Sequence, residues 1–367
     1  MFLAILNFKK MEKVKVGIIG SGFAADLHAK AYQRCPYAEL ISVSAINNLK
    51  NFSKQHNIPT FYSDYRQMLA REDIQMVSVC IPNYLHKEAV IAAANAGKDI
   101  VCEKPLTTNL KDADEMVSTC NNKGVKLMYA EDWIFAPAIV RAKEVYREGA
   151  IGDILYIKAK ETHSGSHSLY AQKLKYCGGG AMIHLGIHPV GFVLWLKGEK
   201  VNQVIAKTSK GKESNLLHTN FEGEDWAAGI LTFEDETYAL VEGNYITFGG
   251  MDDRIEIYGS KGNIKINLTQ GSPISVYSPN GYTYAIEKAD TTKGWTFPAV
   301  DEERSLGYQD EIAYFVNCVR EDREIMRGVR GEDGWQALKV ISAIYESSKS
   351  GRAVKLKENY QIQDERR

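Results

Sequence analysis

Apolar positions in the first 130 residues fall into short, nearly unbroken runs separated by stretches of helical period. The runs predict strands at Val14–Ile19, 39–45, 76–81, Asp99–Cys102 and 126–129. Helical spacing between them predicts helices over 24–34, 50–56, 65–70, 87–96 and Leu110–Lys123. Strands lacking polar alternation are those buried on both faces, so this half predicts a doubly wound parallel sheet.

After about residue 150 the pattern changes. Ile154–Thr162 alternates, a glycine-rich break follows, and 181–196 reads as one helix. Further strands are expected at 203–208, 227–233, 237–244, 253–259, 262–268 and 274–278, with hairpin-type turns such as Gly259-Ser260-Lys261-Gly262. Helical period returns over Tyr308–Arg320 and 334–350. The expected class is α/β plus α+β: a parallel sheet over 11–133, then an open antiparallel sheet with helices on one face over 134–357. The last helices are free to pack back on the first domain. Residues 1–10 read as an extension ahead of Met11, and 358–367 as a fraying end.

Composition narrows the partners. The chain has 367 residues, 44% hydrophobic and 25% charged, with a formal net charge of −1. That balance carries no basic footprint for nucleic acid, and no apolar run approaches the roughly 18 residues of a membrane span. A small-molecule partner is expected. The six cysteines show no C-x-x-C spacing and several lie in apolar runs, as at Val79-Cys80-Ile81 and Val101-Cys102, which fits reduced core thiols in a cytoplasmic protein.

The clearest chemistry lies in VGIIGSGFAADLH, which sets G-x-G-x-x-A between a predicted strand and helix. Gly20 permits the tight turn, Gly22 lets backbone approach a pyrophosphate, and Ala25 allows close helix–strand packing. The helix N-terminus then meets the anion, with Phe23 and Ala24 beside it. An acidic residue normally follows the second strand and bonds the adenine ribose. Here that place reads Val43-Ser44-Ala45-Ile46-Asn47-Asn48. Without a carboxylate or an arginine, Asn47 is left to bond the ribose and Lys50 to reach a phosphate. NAD and NADP both stay open, NAD ahead.

Four motifs in order resemble the glucose–fructose oxidoreductase/inositol dehydrogenase (Gfo/Idh/MocA) family over nearly the whole chain. They are GIIGSGFAADLH, IPNYLHKEAVIAAANAGKDIVCEKPL, FAPAIVRAKEVYREGAIGDILYIK and GGGAMIHLGIHPV. The second is similar to the family's T-P-N-x-x-H and E-K-P, the fourth to its G-G-G-x-x-x-D-x-G-x-H. The resemblance implies a Rossmann domain, with Pro82, Asn83 and His86 at the nicotinamide site. It implies that Glu103-Lys104-Pro105 brings Lys104 to cofactor and substrate hydroxyl, and that His188 is the catalytic histidine. A lysine there could have a depressed pKa and relay a proton, with Pro105, in a cis bond, fixing the bend. His184 stands where the family usually carries aspartate. That departure puts the proton relay in doubt.

Histidines occur in two pairs of one spacing, His163/His167 and His184/His188. Read on one helix, His184 and His188 are i,i+4 and share a face. Along the strand, Leu155, Ile157, Ala159, Glu161 and His163 point one way, so an apolar stripe ends in a carboxylate and an imidazole. Glu161, His163 and His167 are therefore expected to bind substrate, with Glu131 and Trp133 (and Asp132 between them) flooring the pocket and His184 joining it. Glu161, His163, His184 and His188 are also residue types that could hold one divalent metal, although the family resemblance implies none. Trp295, Tyr308 and Asp310 are later candidates without an assigned place.

The expected activity is NAD(P)-dependent hydride transfer at a secondary alcohol or ketone of a sugar, inositol or related polyol, with Lys104 and His188 handling the proton and His184 assisting. Its rivals are redox-neutral elimination, hydrolysis or epimerisation through transient oxidation, and a non-catalytic dinucleotide-binding sensor. Homo-oligomerisation through the C-terminal sheet is expected, with no nucleic acid or membrane partner.

Overall fold

The computed structural model describes residues 13–166, 168–198, 200–269, 274, 276–282, 291–296 and 301–356. The expectations for residues 1–10, His167 and 358–367 lie outside these. The first sheet consists of β1 (Val14–Ile19), β2 (Ala38–Ser44), β3 (Thr60–Tyr62), β4 (Met76–Val79), β5 (Asp99–Cys102) and β6 (Leu127–Tyr129). Their order is β3-β2-β1-β4-β5-β6, every pair parallel. The strand order reverses between β1 and β4, and a crevice opens there at the carboxyl ends. Helices α1 (Phe23–Arg34), α2 (Leu49–Gln55), α3 (Tyr65–Leu69), α4 (His86–Asn95) and α5 (Leu110–Lys123) connect the strands. The three-residue β3 was too short for periodicity to reveal.

Beyond β6 a 3-10 turn, Asp132–Phe135, leads into α6 (Pro137–Arg147) and β7 (Ile154–Thr162). The chain then passes through α7 (Leu174–Cys177), α8 (Ala181–His184) and α9 (Ile187–Lys197). Next come β8 (Val201–Thr208), β9 (Trp226–Phe233), β10 (Tyr238–Asn244), β11 (Arg254–Gly259) and β12 (Asn263–Asn267). The last elements are β13 (Val276–Ser278), β14 (Gly294–Thr296), α10 (Glu302–Ser305), α11 (Tyr308–Arg320), α12 (Gly331–Ser350) and β15 (Val354–Lys355).

The second sheet runs β12-β11-β7-β10-β9-β8-β15. It is mixed rather than wholly antiparallel, because β7 and β10 pair in parallel. The helical crossing after β7 brings the chain back at β8, and two hairpins then set β10 beside β7 in the same direction. The segment expected as a strand at 274–278 joins β14 in a separate two-stranded ribbon. Helices α9 and α12 cover one face of the large sheet, while α11 and α12 also pack on α1 and α5 of the first domain.

The helix expected over 181–196 is broken, and this corrects the reading of the histidine pair. The Leu174–His184 segment and α9 meet at 52°, so His184 and His188 are not neighbours on one helical face. Gly186 makes the break feasible, since a Cβ there would lie 2.2 Å from Met182 Sδ. Buried Glu224 anchors the short α8: its carbonyl accepts from Ala181 N and its carboxylate from Met182 N and Tyr345 Oη.

Candidate active site

A cleft of about 1090 Å³ runs from the β1–α1 turn to the break before α9. Its upper wall is Gly20, Gly22, Phe23 and Ala24, with Ala45 and Asn47 at one end and Pro82 and Asn83 beneath. Gly20 adopts φ +127°, and a Cβ on it would sit 2.1 Å from the Cys80 carbonyl oxygen. A Cβ at Gly22 would meet nothing within 4 Å, so that residue's openness belongs to the cleft. The N-terminus of α1 opens on the cleft at Gly22, Phe23 and Ala24, the end of a helix that favours an anion. These features fit a dinucleotide pyrophosphate. Asn47 is exposed, and its carbonyl accepts from Ser21 Oγ at 2.7 Å. Lys50 is not on the cleft wall. Lys30 and Arg34 are, but both are paired with Glu303, at 2.9 and 3.0 Å.

The Lys104–Pro105 bond is cis. Beside it Glu103 lines the cleft, and its carboxylate lies 2.9 Å from His28 Nε2. His28 continues through Ser78 Oγ at 3.0 Å, itself 2.6 Å from Tyr32 Oη, in a fully buried chain. Sequence reasoning missed His28, although a histidine on the buried side of the first helix was a signal. His86 is corrected: it does not line the cleft. Its Nε2 faces Ile81 O at 2.8 Å and its Nδ1 faces Pro105 O at 3.1 Å, tying the lysine loop to the end of β4.

Lys104 Nζ donates to His184 O at 3.1 Å. Burial alone would lower this ammonium, but Glu161, Glu103, Asp132 and Glu131 outweigh it and hold Lys104 above its ordinary pKa. The expected depression is thus overturned. These surroundings favour the ammonium form of Lys104.

His188 and His184 both line the cleft despite the broken helix. His188 Nδ1 lies 2.6 Å from Glu131 Oε1 and 3.4 Å from Asp132 Oδ1, and its Nε2 is 3.7 Å from Glu161 Oε2. Trp133 stacks on the ring at 5.6 Å and 15°. Glu131 is fully buried behind His188 and does not itself line the cleft, whereas Asp132 and Trp133 do. Burial drives Glu131 well above the usual carboxylate range and lifts Asp132 to about 7. Asn83 Nδ2, an amide donor, faces His184 Nε2 at 3.2 Å.

Glu161 and His163 are buried at the cleft, with Gly165 N donating to His163 Nδ1 at 3.3 Å and Tyr245 against the ring at 5.3 Å. Leu155, expected on the same buried stripe, is 51% exposed at the strand's first turn. Tyr308 joins the cleft, as do Tyr170 and Tyr245, which periodicity did not single out; Trp295 and Asp310 do not. The metal set inferred from sequence is not the group that converges. Among the described residues the closest His/carboxylate group is Glu131, Asp132 and His188. Its 2.6 Å Nδ1–Oε1 separation is a hydrogen bond. Two ligands about a tetrahedral ion with ~2.1 Å bonds stand roughly 3.4 Å apart.

Burial, then Lys104, pushes His184 down to about 3, and His188 is lowered for the same reasons. Unfolded histidine titrates near 6.5, so below that pH the unfolded chain gains protons that the folded sites refuse. Stability therefore falls as pH drops from about 6.5 toward 3, by about 1.4 kcal/mol per pH unit for each such site. Denaturant unfolding between pH 6 and 4 should show wild type losing about that much more per unit than His184→Asn.

Residues 14–131 match a family described as an oxidoreductase family with an NAD-binding Rossmann fold. Residues 143–356 match the same family's C-terminal alpha/beta domain. Myo-inositol 2-dehydrogenase of Thermotoga maritima is 25% identical over 94% of this chain and 99% of its own. The 2,7-anhydro-N-acetylneuraminate hydratase of Mediterraneibacter gnavus is 30% identical over 70% of this chain and 68% of its own. The structure of GenD2 from gentamicin A biosynthesis, in complex with NAD, shares the fold with a TM-score of 0.88. It is 23% identical and covers 95% of this chain and 97% of its own.

Proposed function

Because the chain belongs to the Gfo/Idh/MocA oxidoreductase family, as an NAD(P)-dependent oxidoreductase of CH–OH groups, we propose that it interconverts a secondary alcohol and ketone on a sugar or polyol. The observation that carries this is one cleft joining the α1 N-terminus to Lys104 and His188. Gly20, Gly22 and the α1 amides would hold the pyrophosphate, and Pro82 and Asn83 would border the nicotinamide, which when bound takes up or returns the hydride. Lys104 stays cationic and polarises the substrate oxygen, stabilising negative charge that develops on it. His188 exchanges the hydroxyl proton through Nε2, because Nδ1 is committed to Glu131. NAD is favoured over NADP: the loop after β2 brings no cation to the ribose end, and Lys30 and Arg34 are tied to Glu303. The test is a panel of inositols, aldoses and anhydrosugars with NAD⁺ and NADP⁺. Reduced nicotinamide should accumulate with NAD⁺ and a polyol; no reduction with any member would count against the reading.

The similarity to a hydratase and a cleft carboxyl near 7, Asp132, favour one second reading. In it, oxidation is transient, Asp132 gives or takes a proton during elimination or water addition, and the cofactor returns to its starting state. Product would then form without accumulating reduced nicotinamide.

The uncovered face of the large sheet supports self-association. Tyr258, Tyr156 and Tyr238 stand side by side, with Leu240, Ile230 and Ile205 in the adjoining row, and Tyr238, Ile230 and Ile205 are 47%, 47% and 51% exposed. Such a band is larger than isolated surface apolars and suits a second copy. Sedimentation should show an oligomer that Ile230→Glu dissociates; a monomeric wild type would refute this. Six free, buried cysteines favour a reducing, cytoplasmic setting.

A further inference from the structure

We propose that Glu131 and His188 form a two-step proton relay, in which the reacting hydroxyl gives its proton to His188 Nε2 while the Nδ1 proton passes to Glu131 Oε1. The proposal rests on the dehydrogenase reading above and assigns the proton a resting place. The family's usual aspartate would have lain on the same segment as the histidine. Here His184 fills that position and is engaged with Asn83, and a carboxylate enters from the other domain, directly after β6.

The structure makes room for it. Glu131 Oε2 reaches beneath α9 at Gly191, one turn beyond His188, where a Cβ would come within 2.8 Å of that oxygen. Glu131 is fully buried, His188 is 3% exposed, and the 2.6 Å contact between them is short even for a charge-assisted bond. Trp133 stacked on the imidazole resists rotation that would exchange the two nitrogens.

Where the proton rests follows from the surroundings. Glu131 faces Asp132, Glu161, Glu311 and Tyr129, with Lys104 the cation among them. His188 faces Lys104, Asp132 and Glu161. Burial raises the carboxyl and lowers the imidazole, so an imidazolium–carboxylate pair is disfavoured and a neutral acid beside a neutral ring is favoured. Glu131 Oε2 also has no hydrogen-bond partner, which a buried carboxylate tolerates worse than a carboxylic acid. Oxidation runs from the form in which Glu131 has ionised and the ring carries its proton on Nδ1: the substrate O–H bond breaks as Nε2–H forms, and Nδ1–H breaks as the Glu131 O–H forms. The hydride from the same carbon goes to the dinucleotide. Reduction reverses each transfer. A carboxylate that merely orients a histidine never takes the proton; this one does.

Glutamine separates the two roles, because it can accept the Nδ1–H bond but cannot take the proton. Glu131→Gln should lower kcat about a hundredfold with KM within a few-fold. It should also flatten a wild-type profile in which oxidation rises and reduction falls with pH. A second measurement needs neither variant nor cofactor. Imidazole ¹⁵N shifts of His188 in the unliganded wild-type protein should report the proton on Nε2 near neutral pH, moving to Nδ1 as Glu131 ionises. Near-wild-type kcat in Glu131→Gln, or an Nδ1–H ring at every pH, would overturn the relay. If the ¹⁵N transition appears but no polyol is oxidised, the dehydrogenase reading fails while the proton exchange between His188 and Glu131 stands.

Discussion

Lys104→Met is expected to reduce kcat/KM about a thousandfold while leaving NAD affinity within a few-fold. Methionine nearly matches the length of the side chain and removes only its charge and donors. Preorganised donors aimed at a developing oxyanion are typically worth 10²–10³ each, and here the donor is also the cation that Glu161, Glu103, Asp132 and Glu131 share. Without it the ionised members of that group repel one another and the oxyanion, so the loss should exceed that of a single neutral donor. The pyrophosphate end of the cleft lies on the β1–α1 turn, so dinucleotide binding should survive. Steady-state kinetics combined with equilibrium NAD titration checks both halves. Equal losses of catalysis and affinity would place Lys104 in cofactor binding instead.

The second large effect is expected at the glycine turn. Gly20→Ala puts a methyl group 2.1 Å from Cys80 O and holds alanine at φ +127°, a conformation L-residues rarely adopt. The change should cost about 3 kcal/mol or more in denaturant unfolding and weaken NAD binding strongly. Gly22→Ala is the informative partner. Its φ of −90° suits alanine and its Cβ meets nothing within 4 Å, so stability should hold. Affinity should still fall about tenfold or more, because the methyl occupies the space the pyrophosphate approaches. Equal stability losses in the two variants would contradict this division of labour.

Much of this architecture was legible in periodicity. Apolar runs without alternation located five of the six parallel strands, and the G-x-G-x-x-A turn located the cofactor end. What escaped depended on long-range packing. The break at Leu185–Gly186 had local signals in 181–196, Gly186 and a Pro189 that suits only the first turn of a helix, but contact with Met182 and anchoring by Glu224 decide where the chain bends. The parallel β7–β10 pair follows from where the crossing re-enters the sheet, not from either strand's sequence. The pKa of Lys104 went the opposite way from the expectation because its carboxylates come from three places along the chain: residue 103, residues 131 and 132, and residue 161. Glu131 and His188 are 57 positions apart, so their pairing had no local signal. A carboxylate directly after the last parallel strand was the nearest hint.

A crystal structure with NAD and an oxidisable polyol tests the central assignment most directly. The expected result has the pyrophosphate on the amides of residues 22–24 and the reacting hydroxyl within hydrogen-bond reach of both Lys104 Nζ and His188 Nε2. A hydroxyl bound away from these two atoms, with the nicotinamide outside the Pro82–Asn83 wall, would contradict it.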